Sequence, residues 1–194
     1  MPDRKVIAVV GATGAQGGGL VRAILNDPNG GFVARVLTRD VNGAKAKDFA
    51  RPGAEVVSAD IDDRESLKEA FEGAYGAYCV TFFWAHFSPE KEMAEAEAMA
   101  EAARAAGLQH VVWSTMEDTR QWVPLSDNGM PTLRNKYKVP HCDGKGESNH
   151  FFDGCGSSDD LSAYVFLLGQ LHFLRHGSEK GSRWEVGNHV PDGG

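Results

Sequence analysis

A glycine-rich segment near the N-terminus constrains the fold of this chain more than any other feature. The segment 11–17, GATGAQG, follows the β-branched apolar run KVIAVV at 5–10 and precedes the apolar residues Leu20, Val21 and Ile24. A buried strand, a glycine turn and a helix in direct succession are typical of the first unit of an open parallel sheet. The sequence therefore predicts an α/β chain whose ligand crevice lies at the carboxyl ends of the strands.

The rest of the chain alternates strand and helix signals, as a doubly wound sheet requires. Strands separated by single helices pair in parallel through right-handed crossovers. This alternation favours a Rossmann-like doubly wound parallel sheet with strand order 3-2-1-4-5. The predicted strands are 5–10, 32–37, 55–58, 75–80 and 110–114, and the helices between them start near 14, 43, 62 and 88.

Two of the helix starts carry capping signals. Asp62 is followed three residues later by Glu65, which is the pattern of a capping box. Ser88 is followed by Pro89, and proline is favoured at the first helical position. We therefore expect Asp62 and Ser88 to cap the third and fourth helices.

Length and charge exclude several other classes of protein. At roughly 150 residues per domain, 194 residues allow one full domain. Twenty Lys and Arg against 27 Asp and Glu give a formal charge of −7 without a basic cluster, which argues against a nucleic-acid partner. No run approaches the roughly 18 apolar residues that span a bilayer, so we expect a cytoplasmic protein without membrane contact.

Cys79, Cys142 and Cys155 form no CxxC pair, and they indicate neither a disulfide framework nor a metal site.

The glycine loop is suited to a dinucleotide. Gly11 permits the tight turn, Gly14 lets the backbone approach a pyrophosphate, and Gly17 lets helix and strand pack closely. The unpaired N–H groups at the start of the helix bind an anion without a basic side chain. A chain with net negative charge is therefore able to hold a nucleotide here.

The end of predicted strand 2 carries the residues that choose between the two nicotinamide dinucleotides. An acidic residue at this position binds a ribose 2′-hydroxyl, and an arginine binds a 2′-phosphate. The segment LTRD at 37–40 places Arg39 before Asp40. The match between guanidinium and phosphate favours NADP(H), and Asp40 leaves NAD open as the less favoured cofactor.

Taken together, these segments resemble the NmrA-like family, atypical relatives of the short-chain dehydrogenases. The motifs are GATGAQGG, LTRD, SADIDD, VTFFW and HCDGKGE, each following one of the five predicted strands, and the resemblance covers about residues 1–152. It implies an NADP(H)-binding domain at 3–152. It also implies that the pyrophosphate is wrapped by Gly11, Ala12, Thr13, Gly14, Ala15, Gln16 and Gly17.

The resemblance assigns further cofactor contacts to the ends of strands 2, 3 and 4. Two of these assignments have structural alternatives: a helix cap for the aspartate at 62, and a place in the core for the aromatics at 82 and 83. The implied contacts are Arg39 at the 2′-phosphate, Asp60, Ile61 and Asp62 at the adenine, and Thr81, Phe82 and Phe83 along the ribose and nicotinamide.

The catalytic assignment is less direct, because the parent superfamily uses a Tyr-x-x-x-Lys pair. In the matching segment Lys145 is present, but His141 stands where the tyrosine would be. The resemblance implies that Lys145 hydrogen-bonds the cofactor ribose, with Ser114 at the end of strand 5 as its companion. Imidazole can act as a general acid near neutral pH. A lone histidine is more often structural, so both roles stay open for His141.

Two functions follow from the resemblance. One is a redox sensor, in which the state of the bound NADP(H) changes a surface that contacts a regulatory protein. The other is an NAD(P)H-dependent oxidoreductase that reduces a quinone or carbonyl compound. An enzyme must consume NADPH, whereas a sensor binds it stoichiometrically.

The resemblance stops near residue 152, and residues 153–194 lack a βα period. Back-translated with permitted codons and read one base later, the segment from Asp159 gives TTFLRTSFYWDNFI, which resembles the stretch that follows in the family. We therefore predict that 153–194 is an out-of-frame tail and that the substrate lobe of the family is missing. An uncovered sheet edge of this kind favours a homodimer. An intact reading frame in the coding DNA around Asp153 would contradict the prediction.

Overall fold

The computed structural model describes residues 4–156, which are built around a five-stranded parallel sheet. The strand order is β3-β2-β1-β4-β5, and each neighbouring pair is parallel. The predicted Rossmann-like sheet with order 3-2-1-4-5 is thus confirmed. The strands are β1 Lys5–Val9, β2 Phe32–Thr38, β3 Glu55–Ser58, β4 Gly76–Cys79 and β5 His110–Trp113.

One helix follows each strand along the chain, so four helices alternate with the strands and a fifth lies after β5. Short 3₁₀ turns occur at Phe83–Ala85, Thr119–Gln121 and Ser148–Phe152. None of the helices within 4–156 is long and apolar enough to cross a membrane. The helices are α1 Ala15–Asn26, α2 Ala44–Ala50, α3 Arg64–Phe71, α4 Pro89–Ala105 and α5 Pro140–Glu147.

The two predicted helix caps have different outcomes. The Ser88 side chain accepts the N–H of Lys91 and caps α4, as expected. The prediction for Asp62 is wrong, because the carboxylate of Asp63 accepts the N–H groups at the start of α3. Asp62 and Asp63 are adjacent, so the sequence alone does not show which of them caps the helix. The turn before α3 places the Asp63 carboxylate within hydrogen-bond distance of the Glu65 and Ser66 N–H groups.

The core lies on both faces of the sheet, because successive strand residues point to opposite sides. In β1, Ala8 belongs to the cluster beneath α3 and α4, and Val9 belongs to the cluster beneath α1 and α2. Both residues are 0 % exposed. A strand covered on both faces explains the unbroken apolar run at 5–10.

The strand register brings the predicted site segments to one edge of the sheet. Val9 pairs with Val36 in β2 and with Tyr78 in β4, and Cys79 pairs with Trp113 in β5. The carboxyl ends of these strands therefore lie side by side. The segments that follow β1, β2 and β4 carry the predicted cofactor contacts at 11–17, 39 and 81–83, and those at 60–62 follow the neighbouring strand β3.

Helix α5 is an element for which the sequence analysis predicted no structure. Gly146 is required by close packing, because a Cβ there would lie 2.6 Å from the Asp118 N atom, and a Cβ on Gly144 would make a tight contact of 3.3 Å with Pro89 Cβ. Asp143 fixes the helix to the preceding loop, since its carboxylate accepts the N–H groups of Thr119 at 2.9 Å and Lys138 at 2.7 Å.

The described chain continues past the predicted domain end at residue 152. The Trp113 and Phe152 rings stack with their centroids 4.7 Å apart. Cys155 is buried in the core cluster, and the Arg104 guanidinium donates to the Phe151 carbonyl at 2.6 Å. Most of the predicted out-of-frame tail, 157–194, lies outside the described residues.

Candidate functional site

The glycine loop has the backbone geometry of a phosphate-binding turn. Gly11 has φ of +64°, which is unfavourable for residues with a Cβ. Its carbonyl accepts the Gly14 N–H at 2.9 Å. A Cβ on Gly17 would lie 2.6 Å from the same carbonyl oxygen, so α1 approaches the loop as closely as the backbone allows.

The first turn of α1 is open to an anion. Its N-cap is Gly14, no side chain caps the turn, and it contains no acidic residue. Its first N–H groups and the positive end of the helix dipole therefore face the crevice without a competing carboxylate. These residues fit the pyrophosphate of a dinucleotide.

Two cations flank the loop on the side of β2. Lys45, on α2, donates to the Thr13 carbonyl at 2.8 Å. Lys45 and Arg22 line a cavity of about 620 Å³ between α1 and α2 that includes Thr13. Lys45 is a candidate cofactor residue that the sequence analysis missed, because it lies 32 residues from Thr13 and no local pattern links it to the loop.

Arg39 and Asp40 differ in how the structure holds them. Arg39 is exposed at the end of β2, and it has no side-chain hydrogen bond or ion pair with any residue in 4–156. The Asp40 carboxylate accepts the N–H of Asn42 at 3.0 Å in a local turn. The guanidinium is therefore available to a ligand, whereas the carboxylate already has a partner.

The segment after β3 is held by its own turn. Asp60 accepts the N–H of Asp62 at 3.1 Å, and its own N–H donates to Ser66 Oγ at 3.0 Å. The Asp62 carboxylate pairs with Lys91 at 3.0 Å. Ile61 packs partly buried against the core. The structure brings this segment to the site edge, and its adenine contact stays a prediction.

Gln16 connects the glycine loop to the ends of β4 and β5. Its side-chain oxygen accepts from Tyr78 OH at 2.7 Å and from Ser114 Oγ at 2.8 Å. Since both donors face the oxygen, the amide NH₂ group is directed elsewhere. Burial raises the pKa of Tyr78, which keeps its hydroxyl protonated as a donor. The contact between Ser114 and the loop was not predicted, and neither was the role of Tyr78.

Lys145 is buried beneath the same edge. Its Nζ donates to Thr81 Oγ1 at 2.8 Å and to the Ser114 carbonyl at 2.9 Å, and it lies 3.7 Å from Glu92 Oε1. Burial lowers the pKa of Lys145, and the charge of Glu92 opposes that shift. Two of the three N–H groups of the amine thus donate to acceptors inside the protein. The third makes no hydrogen bond among the described residues, and the bond to a ribose stays a prediction.

His141 lies among aromatic rings on the outer side of α5. Its ring centroid is 5.0 Å from that of Trp84 and 5.7 Å from that of Phe83. Burial is the main cause that lowers the pKa of His141, so the imidazole is neutral at pH 7 and is a weak general acid there. The ring contacts are those of a packed residue, and catalysis by His141 stays a prediction.

An exposed aromatic surface follows β4, and we define it as Phe82, Trp84 and Phe87. These side chains are 66 %, 54 % and 60 % exposed, respectively. Phe83, between them, is buried. Phe83 is thus buried and Phe82 is exposed, and the cofactor contacts of both stay predictions.

The edge of the sheet thus combines a glycine turn, an open helix start and a free arginine, in the strand order of a nucleotide-binding fold. These features define a Rossmann-like fold with a candidate dinucleotide site. The chain belongs to the NmrA-like family, whose profile matches residues 3–143.

Known proteins similar to this chain include oxidoreductases and a regulator. The NmrA-like family domain-containing oxidoreductase FrzB of a Cladobotryum species is 33 % identical over 138 residues, covering 69 % of this chain and 40 % of that protein. The oxidoreductase hkm9 of Aspergillus hancockii is 37 % identical over 114 residues, covering 57 % and 33 %. This chain spans less than half the length of these relatives.

A solved structure of NmrA, a negative transcriptional regulator, in complex with NADP is 27 % identical, with a TM-score of 0.63. The match covers 79 % of this chain and 43 % of that one. A structure of the same regulator with NAD is 25 % identical, with a TM-score of 0.62, and covers 84 % and 44 %. The regulator has thus been solved with both cofactors.

Proposed function

We propose that this chain binds NADP(H) at the glycine loop, and that the bound cofactor controls how the aromatic surface contacts a regulatory protein. The open first turn of α1 carries the proposal. It offers N–H donors to a pyrophosphate in a fold whose solved relative binds NADP and NAD.

The preference for NADP(H) over NAD is part of the proposal. The exposed guanidinium of Arg39 can pair with a 2′-phosphate. Lys45, held at the Thr13 carbonyl, adds a second positive charge on the same side of the loop. Asp40 Oδ1 already accepts the N–H of Asn42, and the second oxygen of this carboxylate leaves NAD open as the less favoured cofactor.

The arrangement of His141 and Lys145 favours a sensor over a dehydrogenase. An acid catalyst must reach a substrate, but His141 packs against Phe83 and Trp84 and is neutral at pH 7. Two N–H groups of the Lys145 amine already donate inside the protein, to Thr81 Oγ1 and to the Ser114 carbonyl. This arrangement lacks the Tyr-Lys pair through which the parent superfamily transfers a proton.

A reductase is the second candidate function. It is favoured by the names of the curated relatives, which are oxidoreductases. The exposed rings of Phe82 and Trp84 beside the site also offer flat faces on which an aromatic acceptor such as a quinone can stack.

Two measurements on the purified full chain separate the candidates. A reductase consumes NADPH in the presence of a quinone or carbonyl panel, which lowers absorbance at the nicotinamide band. A sensor binds NADPH stoichiometrically without consuming it. It also changes the amide hydrogen exchange of segment 82–87 differently with NADPH and NADP⁺. Turnover of any acceptor, or identical exchange with both cofactor states, contradicts the sensor.

A further inference from the structure

Lys145 is linked to a buried carboxylate that the proposed function does not use. Glu92, on α4, is 0 % exposed. Thr81 Oγ1 donates to Glu92 Oε1 at 2.7 Å, and Lys145 Nζ donates to Thr81 Oγ1 at 2.8 Å. A hydroxyl has one proton. Because that proton is directed at Glu92, Thr81 can only accept from Lys145, so Glu92 fixes the direction of the whole chain of hydrogen bonds.

The surroundings of the amine make its charge depend on this carboxylate. Lys145 is 7 % exposed, and removal from water disfavours its charged form. The amine lies 4.7 Å from the centre of the Trp113 ring, and the Ser114 carbonyl accepts from it at 2.9 Å. Burial also raises the pKa of Glu92, and the charge of Lys145, whose Nζ lies 3.7 Å from Oε1, opposes that shift, so each group favours the ionised form of the other.

The other titratable groups around Lys145 carry less negative charge near neutral pH than an ordinary carboxylate. Burial raises the pKa of Glu95 to about 7, so Glu95 is only partly ionised there and adds a weaker attraction to Lys145 than Glu92 does, and burial raises the pKa of the Cys142 thiol. His141 is neutral for the reason given above. Within the described part of the chain, Glu92 is the carboxylate that forms an ion pair with Lys145.

Glu92 itself has an unused oxygen. Oε2 is buried without a hydrogen-bond partner among the described residues, and it faces Gly144, whose added Cβ would lie 3.6 Å away. A buried carboxylate left half satisfied is costly. Its placement opposite Lys145 therefore indicates a role beyond packing.

We propose that Glu92 is a positioning residue of the cofactor site: through Thr81 it directs the Lys145 amine, and its charge keeps that amine an ammonium ion in the interior. The relevance of that ammonium to the cofactor rests on the proposed function. The effect of Glu92 on Lys145 does not, and it can be measured without cofactor.

The experiment is an NMR titration of the full chain labelled with ¹³C at lysine Cε, with Lys145→Met to assign the signal. Glu92→Gln keeps an oxygen for Thr81 to donate to, but it removes the charge. We expect Lys145 to lose its proton at lower pH in Glu92→Gln than in wild type. Glu95→Gln is the matched control, one turn further along α4, and we expect a smaller change. A Lys145 midpoint that is unchanged in folded Glu92→Gln overturns the proposal.

A second variant and a binding measurement complete the test. If Glu92→Gln does not fold, Glu92→Asp is used instead, since it moves the charge away from Lys145 by one methylene group. We again expect the titration midpoint of Lys145 to lie below that of wild type. An unchanged midpoint overturns the proposal. In NADPH titrations of Glu92→Gln, the Kd should rise over the pH range in which Lys145 loses its charge. Absence of NADPH binding by wild type contradicts the proposed function and leaves the NMR result intact.

Discussion

Gly17 illustrates how the absence of a side chain sets the geometry of the site. A Cβ there would lie 2.6 Å from the Gly11 carbonyl oxygen and 2.8 Å from its carbon. We expect Gly17→Ala to push α1 away from the loop. Unfolding free energy should fall by about 1–3 kcal/mol, and NADPH affinity should fall at least about tenfold, since a displacement that removes one charge-assisted hydrogen bond costs about that much. Denaturant unfolding and calorimetric titration measure the two effects.

Gly19, two residues along the same helix, is the matched control. A Cβ there would meet nothing within 4 Å. Alanine is a better helix former than glycine, so Gly19→Ala should stabilise the chain by about 0.5–1 kcal/mol and leave NADPH affinity unchanged. Equal losses in both variants would contradict the account of the loop.

Arg39 tests the cofactor preference. A charge-assisted hydrogen bond to a phosphate contributes about 1.5–3 kcal/mol, so Arg39→Ala should weaken NADP(H) binding about 10- to 100-fold and NAD(H) binding much less. Calorimetry with both cofactors measures the difference. Arg51→Ala is the control, because that exposed side chain pairs only with Asp48 among the described residues. Equal losses for both cofactors would refute the assignment to the 2′-phosphate.

Glu95 makes the stability of the folded chain depend on pH, and the direction of this dependence follows from the pKa of Glu95. Burial, and then repulsion from Asp62, raises the pKa of Glu95 to about 7 from an ordinary value of 4.5. The folded state therefore holds the proton more tightly than the unfolded chain between these values. The stability that protonated Glu95 contributes is complete below pH 4.5 and is lost as the pH rises through 7.

The Glu95→Gln variant isolates this contribution. Relative to wild type, its unfolding free energy should increase steadily from pH 4.5 to 7 and then level off. Denaturant unfolding across this range provides the measurement, with the exposed Glu69→Gln as control. A stability difference between Glu95→Gln and wild type that is flat with pH would show that Glu95 does not titrate as described.

At the scale of the elements, the sheet and its first four helices were predictable because their signals are local. The apolar run at 5–10, the glycine turn at 11–17 and the Ser88–Pro89 cap each determine their own structure. Helix α5 was not predictable, since Gly144 and Gly146 have low helix propensity. The contact with Asp118 requires glycine at 146, and the packing against Pro89 on α4 is tight at 144. Such contacts between distant segments are invisible in one sequence.

Asp143 holds α5 to the preceding loop. Its carboxylate accepts four hydrogen bonds, from the N–H groups of Thr119, Lys138 and Val139 and from the Thr119 hydroxyl. Asp143→Asn places an NH₂ group against donors, so we expect a loss of about 2–4 kcal/mol in unfolding free energy. Glu117→Gln, an exposed change in the same loop, should cost almost nothing. Chemical denaturation measures both, and a similar small effect for each would contradict this role.

The residues of the candidate site divide in the same way, into those with a local sequence signal and those placed by tertiary packing. The glycine loop and Arg39 were identified from their place after strands, because parallel strands bring their carboxyl ends together. Lys45, Tyr78 and Glu92 were missed, since each reaches the site only through tertiary packing. Lys145 was identified, but its inward direction depends on Thr81 and Glu92 and could not be predicted.

At the scale of the whole molecule, the described residues form a five-stranded Rossmann-like sheet with an exposed aromatic surface beside it. The chain covers less than half the length of its curated relatives. The activity of those full-length proteins therefore does not transfer directly. The part of the function that the described residues can support alone is cofactor binding.

Calorimetric titration of the purified full chain with NADPH and NADH measures cofactor binding without any partner or substrate. We expect saturable binding of one NADPH per chain, with NADH binding more weakly. Absence of heat with either dinucleotide at millimolar concentration would contradict it.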